Sequence, residues 1–575
     1  MPARPFVDTT VSIPEAIVRV LEQSGIDHVF GMPGGRTGAI FNALYDHRAS
    51  IRTVLVREEG LATVMADVYG RLTGKPGVAM GQGAFLLTNA GMGIVEAYLA
   101  GSPVVLLSDL SDGAPFSQHA PYQAGTGDFG TWDAPAMVRG ITRQVFVAHE
   151  AVQAVQDTQL AVKHALLGPG PVAMLYHSAA LSGSVGPDSV PRLYTTGSYL
   201  PVQRAAAPAE QLQHAASVLL AASRPAIVAG NGVRLGRAQA ALVTLAETLG
   251  APVATTASGK GVFPEVHPLG LGVFGTFGLE AANAVIADAD VVLAIGTKLG
   301  PTDTAFESRD LLDPERQTIL QIDIEPRHAA WTFPVHQVIG DAALSMAALA
   351  ELLSSGRNGH ADRAVEAHRR YASFDIAAST SAESPIWPQR LIADLQRSLP
   401  DDAIVTCDAG ENRLFMLHHF RTKSGMEYLQ PAAVGGMGYA IPAALAARLV
   451  HPHRTAVAVC GDGGFAIGMN GLFTAIEERI PIIVVVFNNG ALGWVRHGQG
   501  DRPIASEFGS FDHAAIARAM GCEGIRVEQP SDLPAAFQRA LSAGRPCVVD
   551  VVTNTVATFR DVTSPLAAQP RQVRA

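Results

Sequence analysis

The run Thr455–Cys460 is apolar and β-branched, and it passes directly into Gly461, Asp462, Gly463 and Gly464. The stretch from Gly471 to Glu478 has the length and composition of a helix. A second buried-strand run, Pro481–Phe487, then ends in Asn488 and Asn489. Between the two runs there is room for one crossover helix, so the strands are expected to be parallel. Asp462 and Asn489 would then both sit just past the carboxyl ends of parallel strands, the edge where open α/β sheets bind ligands. A carboxylate and an amide carbonyl are hard oxygen donors. Magnesium takes few such groups from protein and completes its octahedron with phosphate and water. The glycines let backbone N–H groups approach a phosphate, and a helix start adds favourable potential for an anion. A bare Gly-Asp-Gly turn is equally a βαβ turn with a capping Asp; the Asn488–Asn489 pair closing the next strand favours the metal and diphosphate reading.

The same alternation of short apolar runs with longer amphipathic stretches occurs in three blocks, which predicts α/β architecture with three Rossmann-like parallel-sheet domains. The first domain is placed at residues 1–181, with strands at His28–Gly31, Arg52–Val56, Gly77–Met80, Pro103–Ser108 and Val172–Tyr176 and helices such as Leu61–Leu72 and Ala90–Leu99. A Ser-, Gly- and Pro-rich linker follows, Leu181–Pro208. The second domain spans 209–353, with strands at Pro225–Ala229, Pro252–Thr255, Val291–Ile295 and Thr318–Ile322. The third spans 387–552, with strands at Ala403–Cys407, Thr455–Cys460, Ile482–Phe487 and Cys547–Val551, and a partly ordered tail covers 553–575. A chain of 575 residues exceeds what one core usually fills.

Composition excludes several classes. Hydrophobic residues make up 48% and charged residues 16%, so the chain is globular rather than disordered. The net charge is −10 and no basic run is present, which argues against nucleic acid. No apolar stretch reaches the length of a membrane span. The four cysteines form no metal-type pair, and Cys407 and Cys460 lie in strand-like runs as buried thiols. With no apolar signal core from Met1 to Ile13, a reducing, cytoplasmic location is expected.

The segment from Gly461 to Asn489 resembles the thiamine-diphosphate motif of the acetohydroxyacid (acetolactate) synthase, pyruvate oxidase and benzaldehyde lyase group. The resemblance extends over nearly the whole chain in three-domain order: pyrimidine-binding, central and diphosphate-binding. It implies that thiamine diphosphate and Mg2+ are the cofactors, with Asp462, Asn489 and the carbonyl of Ala491 as metal ligands. Gly461, Gly463, Gly464, Leu492 and Gly493 would line the cofactor. Gly410, Glu411 and Asn412 match the diphosphate-side loop, with Asp408 before them as a possible strand-end cap. Gly435 and Met437 match the turn whose bulky apolar residue bends the cofactor.

The run Arg57, Glu58, Glu59, Gly60, ending at Tyr69, Gly70, Arg71, Leu72, Thr73 and Gly74, is similar to the family segment that carries the activating glutamate. By that match Glu59 rather than Glu58 hydrogen-bonds the aminopyrimidine ring. Phe30–Gly35, with Gly34, resembles the family's first glycine turn. Gly81–Asn89 resembles its Gly-Pro-Gly-Ala-Thr-Asn loop, with Gln82 in place of the proline and Phe85, Leu86 and Leu87 as an insertion; Asn89 is carried over as a cofactor residue. Gln123 stands where the family places a glutamine beside the reacting carbon, and His119 is a candidate proton shuttle.

By resemblance the activity is that of a carboligase or decarboxylase of acetolactate synthase type, acting on 2-oxo acids through an enamine intermediate. A carbon–carbon lyase of benzaldehyde lyase or 2-hydroxyacyl-CoA lyase type is the alternative, and a non-catalytic thiamine-diphosphate-binding regulator a third reading, disfavoured by intact Glu59, Asp462 and Asn489. The partners implied are small-molecule carbonyl substrates and a second copy of the chain, in a homo-oligomer whose active sites lie between subunits. Two departures bear on substrate and on FAD: His177 and Ser178 stand where relatives carry a lysine, and Gly296–Leu299 lacks the arginines that often line FAD. Arg36 replaces the polar catalytic side chain of benzaldehyde lyase-like relatives and points to a different acceptor.

Overall fold

The computed structural model describes residues 3–113, 123–128, 130–168, 170–200, 204–354, 362–371 and 376–562. It contains three six-stranded parallel sheets, each flanked by helices. The strands expected from the sequence as continuous apolar runs occupy these sheets. Chain contacts divide the molecule into two compact units, 1–202 with 433–450 and 470–480, and 203–432 with 451–469 and 481–575.

The first unit holds the first sheet, in the order Arg52–Leu55, His28–Gly31, Gly77–Gly81, Val104–Asp109, Pro171–Tyr176, Gln144–Ala148. Its switch point, where successive connections diverge, lies between His28–Gly31 and Gly77–Gly81. The helix Glu59–Thr73 is buried on almost every face. Small residues make this possible: a Cβ at Gly77 would lie 2.0 Å from the Ala66 carbonyl oxygen, and one at Gly70 2.5 Å from that of Pro103. Helix Ala440–Val450 packs on it as part of the same unit. Buried Arg71 meets Asp67 at 3.0 Å and Glu96 at 2.7 Å, and the Tyr439 hydroxyl donates to Asp67 at 3.0 Å.

The second unit holds the other two sheets. The central one runs Gly270–Val273, Val253–Thr255, Pro225–Ala229, Val291–Ile295, Thr318–Asp323, His336–Ile339. The third runs Glu427–Leu429, Ile404–Cys407, Ala456–Gly461, Ile483–Asn488, Cys547–Val552, Glu523–Val527. Counted in chain order, the first and third sheets share one strand order, 2-1-3-4-6-5, whereas the central sheet is 3-2-1-4-5-6.

Several expectations need correction. Five strands of the three large sheets were not anticipated, Gln144–Ala148, Gly270–Val273, His336–Ile339, Glu427–Leu429 and Glu523–Val527, nor was the small pair Val11–Ser12 and Ser184–Val185. Gly83–Asn89, read as a loop, is a helix. The expected linker is held to the first unit, where Ser184–Val185 pairs with Val11–Ser12 and the Phe6 amide donates to the Leu193 carbonyl at 3.0 Å. His119 and residues 563–575 of the tail lie outside the described residues.

Candidate active site

In the second unit, Asp462 follows the strand Ala456–Gly461 at once and opens the helix Asp462–Gly468. Asn489 follows the parallel neighbour Ile483–Asn488, as the two-strand reading requires. Asp462 is 4% exposed. Its Oδ2 accepts the Asn489 backbone N–H at 3.0 Å, and its Oδ1 faces His513 Nε2 at 3.0 Å. Asn489 Oδ1 accepts the Ala491 N–H at 3.1 Å. Asp462, Asn489 and Ala491 are therefore brought into one turn, with the carboxylate oriented from behind by His513.

The third sheet's switch point lies between Ile404–Cys407 and Ala456–Gly461, so Gly410, Glu411 and Asn412 border the same edge as Asp462. A Cβ at Gly464 would lie 2.2 Å from Asp408 Oδ2, which makes glycine obligatory beside that buried carboxylate. Gly410 has φ +124, and a Cβ there would lie 2.6 Å from Asn412 Oδ1. A Cβ at Gly493 would lie 2.5 Å from Glu411 Oε2 and 2.9 Å from Asn489 Nδ2. Gly464, Gly410 and Gly493 thus leave backbone surface around the turn where any side chain would fill it. Glu411 is buried, and its Oε1 meets His497 Nδ1 at 2.7 Å and the Phe559 N–H at 2.7 Å. Burial nevertheless dominates, and it holds the Glu411 carboxyl above the usual range. The Trp494 ring, two residues past Leu492, stacks on Phe559 at 4.6 Å.

The donor set fits magnesium and a diphosphate. Asp462 Oδ, Asn489 Oδ1 and the Ala491 carbonyl are hard oxygens, and Gly461–Gly464 exposes backbone at a helix start. Only one of the three is a carboxylate, so the set is one of mixed oxygen donors.

In the first unit, the structure separates Glu58 from Glu59. Glu58 caps the helix, its Oε2 accepting the Leu61 N–H at 3.2 Å. Glu59 is the first helical residue, 3% exposed, and accepts Asn89 Nδ2–H at 3.0 Å. Gly81 lies beside it, where a Cβ would be 3.8 Å from Glu59 Cγ. Gln82 then reaches Gln123, donating Nε2–H to Gln123 Oε1 at 2.5 Å. A Cβ at Gly34 would lie 3.0 Å from Gln82 Oε1. Glu59, Asn89, Gly34 and Gln123 therefore cluster at the carboxyl edge of the first sheet. Gly435 (φ +77) and Met437, 36% exposed, belong to the same unit.

These domains correspond to known families. Residues 12–126 match the family model described as the N-terminal TPP binding domain of thiamine pyrophosphate enzymes, 212–349 the central domain and 408–551 the C-terminal TPP binding domain. This chain belongs to the thiamine pyrophosphate enzymes. A probable acetolactate synthase large subunit of Methanocaldococcus jannaschii is 30% identical over 94% of this chain and 91% of its own length. The acetolactate synthase isozyme 3 large subunit of Escherichia coli is 30% identical, covering 96% and 94%. A sulfoacetaldehyde acetyltransferase of Castellaniella defragrans is also 30% identical, covering 92% and 90%.

Several groups around this thiamine pyrophosphate enzyme's site carried no motif. His513 and His497 sit in stretches without pattern, and Phe559 was assigned to the tail; only their positions in the fold bring them to Asp462 and Glu411. The departure at His177 has a physical partner. His177 Nδ1 meets Asp112 at 3.0 Å, and the Ser178 N–H donates to Asp112 at 2.8 Å. Burial opposes ionisation of Asp112, but these bonds outweigh it and hold the carboxyl below its ordinary range. His149 stacks on His177 at 4.2 Å. At the central sheet's switch point the Gly232 N–H donates to the Gly296 carbonyl at 2.9 Å, so the two loops that would flank a nucleotide meet backbone to backbone.

Proposed function

We propose that this chain is a magnesium- and thiamine-diphosphate-dependent carboligase that acts on 2-oxo acids in the manner of acetolactate synthase. The observation that carries the reading is the pairing of buried Glu59 with Asn89 in a chain that also carries the Asp462–Asn489 turn. Relatives named acetolactate synthase, aligned over more than nine-tenths of both chains, support the substrate class.

Thiamine diphosphate, when bound, supplies the electron sink for carbanion chemistry at a carbonyl carbon. Glu59 would hold the aminopyrimidine ring through one hydrogen bond, its carboxyl kept in place by Asn89 Nδ2. Asp462, Asn489 and Ala491 would hold magnesium on the diphosphate, with His513 fixing the Asp462 carboxylate. Gln123, set by Gln82, would orient the substrate carbonyl. The site is proposed to form between two copies of the chain, one giving Glu59 and the other Asp462. The reading requires no flavin.

The test is incubation with pyruvate, magnesium and thiamine diphosphate, assaying acetolactate and carbon dioxide. Formation of both supports the reading; neither forming at saturating cofactor removes it. The sulfoacetaldehyde acetyltransferase relative favours a second reading, transfer of the two-carbon unit to another acceptor, and sulfoacetaldehyde with inorganic phosphate is the substrate pair that tests it.

A further inference from the structure

Arg36 stands directly after the Gly34–Gly35 turn at the first sheet's switch point. Its backbone is fixed: the Arg36 N–H donates to Asp109 Oδ2 at 3.1 Å, and Gly35, at φ +53, makes the turn. Buried Asp109 is a hub for this edge. Its Oδ1 accepts the Gly83 N–H at 3.2 Å, and its Oδ2 also accepts the Ser111 N–H at 3.1 Å. One carboxylate therefore ties together the turns after His28–Gly31, Gly77–Gly81 and Val104–Asp109. Gln82 sits in the same bracket, against Gly34 and Gly35, with its amide on Gln123 and on Ser111 Oγ at 3.3 Å. Gly81, its neighbour, lies beside Glu59, where a Cβ would be 3.8 Å from Glu59 Cγ.

The Arg36 side chain contrasts with this fixed backbone. It is exposed, and among the described residues its guanidinium has no hydrogen bond or ion pair. A guanidinium on a rigid turn, at the ligand edge and linked to Gln123 through Gln82, is suited to a planar carboxylate, which it can meet with two parallel N–H donors.

We propose that Arg36 binds the carboxylate of the 2-oxo acid and makes the site selective for anionic over neutral carbonyl compounds. This rests on the proposed function for the choice of substrate, but its test does not need turnover. Methyl acetylphosphonate, a monoanion, and dimethyl acetylphosphonate, neutral, present the same acyl group with and without charge. Binding of each to the holoenzyme is measured by titration calorimetry.

Wild type should bind the monoanion at least about tenfold more tightly than the diester, the scale of one charged hydrogen-bonded pair. Arg36→Gln should lose that preference and keep its affinity for the diester. Arg36→Lys should retain part of it, having the charge without the fork. The proposal is overturned if wild type does not prefer the monoanion, or if Arg36→Gln weakens both esters equally or neither. Loss of pyruvate turnover with an intact Arg36-dependent preference would instead count against the proposed reaction alone.

Discussion

Asn89 Nδ2 donates to Glu59 Oε2 at 3.0 Å, from the end of one short helix to the first residue of a long one. The bond fixes a carboxyl that is 3% exposed. Glu59→Gln preserves shape and the Asn89 contact but removes the acid. Turnover should fall by about 10²–10⁴-fold, the range for loss of a positioned acid or base. Calorimetric affinity for thiamine diphosphate should change little. Retained turnover would refute the assignment of Glu59.

Glu58 provides the matched control. Its carboxylate caps the helix, and burial first of all raises its pKa, against the lowering by the Gly60 and Leu61 amides. Glu58→Ala should cost stability, about 1 kcal/mol for a lost cap, while leaving kcat within a few-fold. A melting curve and one kinetic assay distinguish the two neighbours.

Asp462→Ala should abolish magnesium-dependent cofactor binding, since it removes the charged member of the oxygen set. His513→Phe is the finer test. It keeps the ring that packs on Phe465 at 4.9 Å but deletes the contact to Asp462 Oδ1. Removal of such an outer partner typically costs about 10–100-fold in metal affinity. Magnesium titration of the two variants, followed by cofactor binding, should show His513→Phe between wild type and Asp462→Ala.

The interior of each sheet was legible in the sequence and, apart from Arg52–Leu55, its edges were not. All five unanticipated strands of the large sheets are edge strands. A central parallel strand is covered on both faces and reads as an apolar run, as Thr455–Cys460 does. An edge strand such as Glu523–Val527 or His336–Ile339 faces solvent along one side, carries polar, charged or glycine residues, and has no long apolar run to recognise. The site divides in the same way. Asp462 and Asn489 follow central strands, and Glu59 follows the edge strand Arg52–Leu55, each within a compact motif. His513, His497 and Asp109 contribute through contacts at long range, and a histidine 51 residues from its carboxylate leaves no local spacing to read.

Gly77→Ala tests the packing under Glu59. The added Cβ would lie 2.0 Å from the Ala66 carbonyl oxygen, a backbone atom in the middle of the Glu59–Thr73 helix. No rotamer change relieves that overlap, so helix and strand must separate. The expected loss is about 1–3 kcal/mol, read as a lower denaturation midpoint. Activity measured well below the midpoint should fall as well, because the displaced helix carries Glu59. A stable, fully active variant would show that the approach is looser than described.

His418 sets an acid limit on stability. It is buried, and desolvation first, with the neighbouring His419 second, pushes its pKa down to about 3 from an ordinary 6.5. Its Nε2 lies 2.9 Å from the Phe277 carbonyl, which suits a neutral ring donating N–H. The folded chain therefore refuses a proton that the unfolded chain takes up below 6.5. The stabilisation is full above pH 6.5 and is lost as pH falls toward 3, at up to about 1.4 kcal/mol per unit. His418→Gln can still donate to Phe277 but cannot titrate. Its urea midpoint should lie below that of wild type at pH 8, and the gap should narrow or invert by pH 5. Parallel midpoints across that range would mean that His418 is protonated in the fold and that its burial has been overstated.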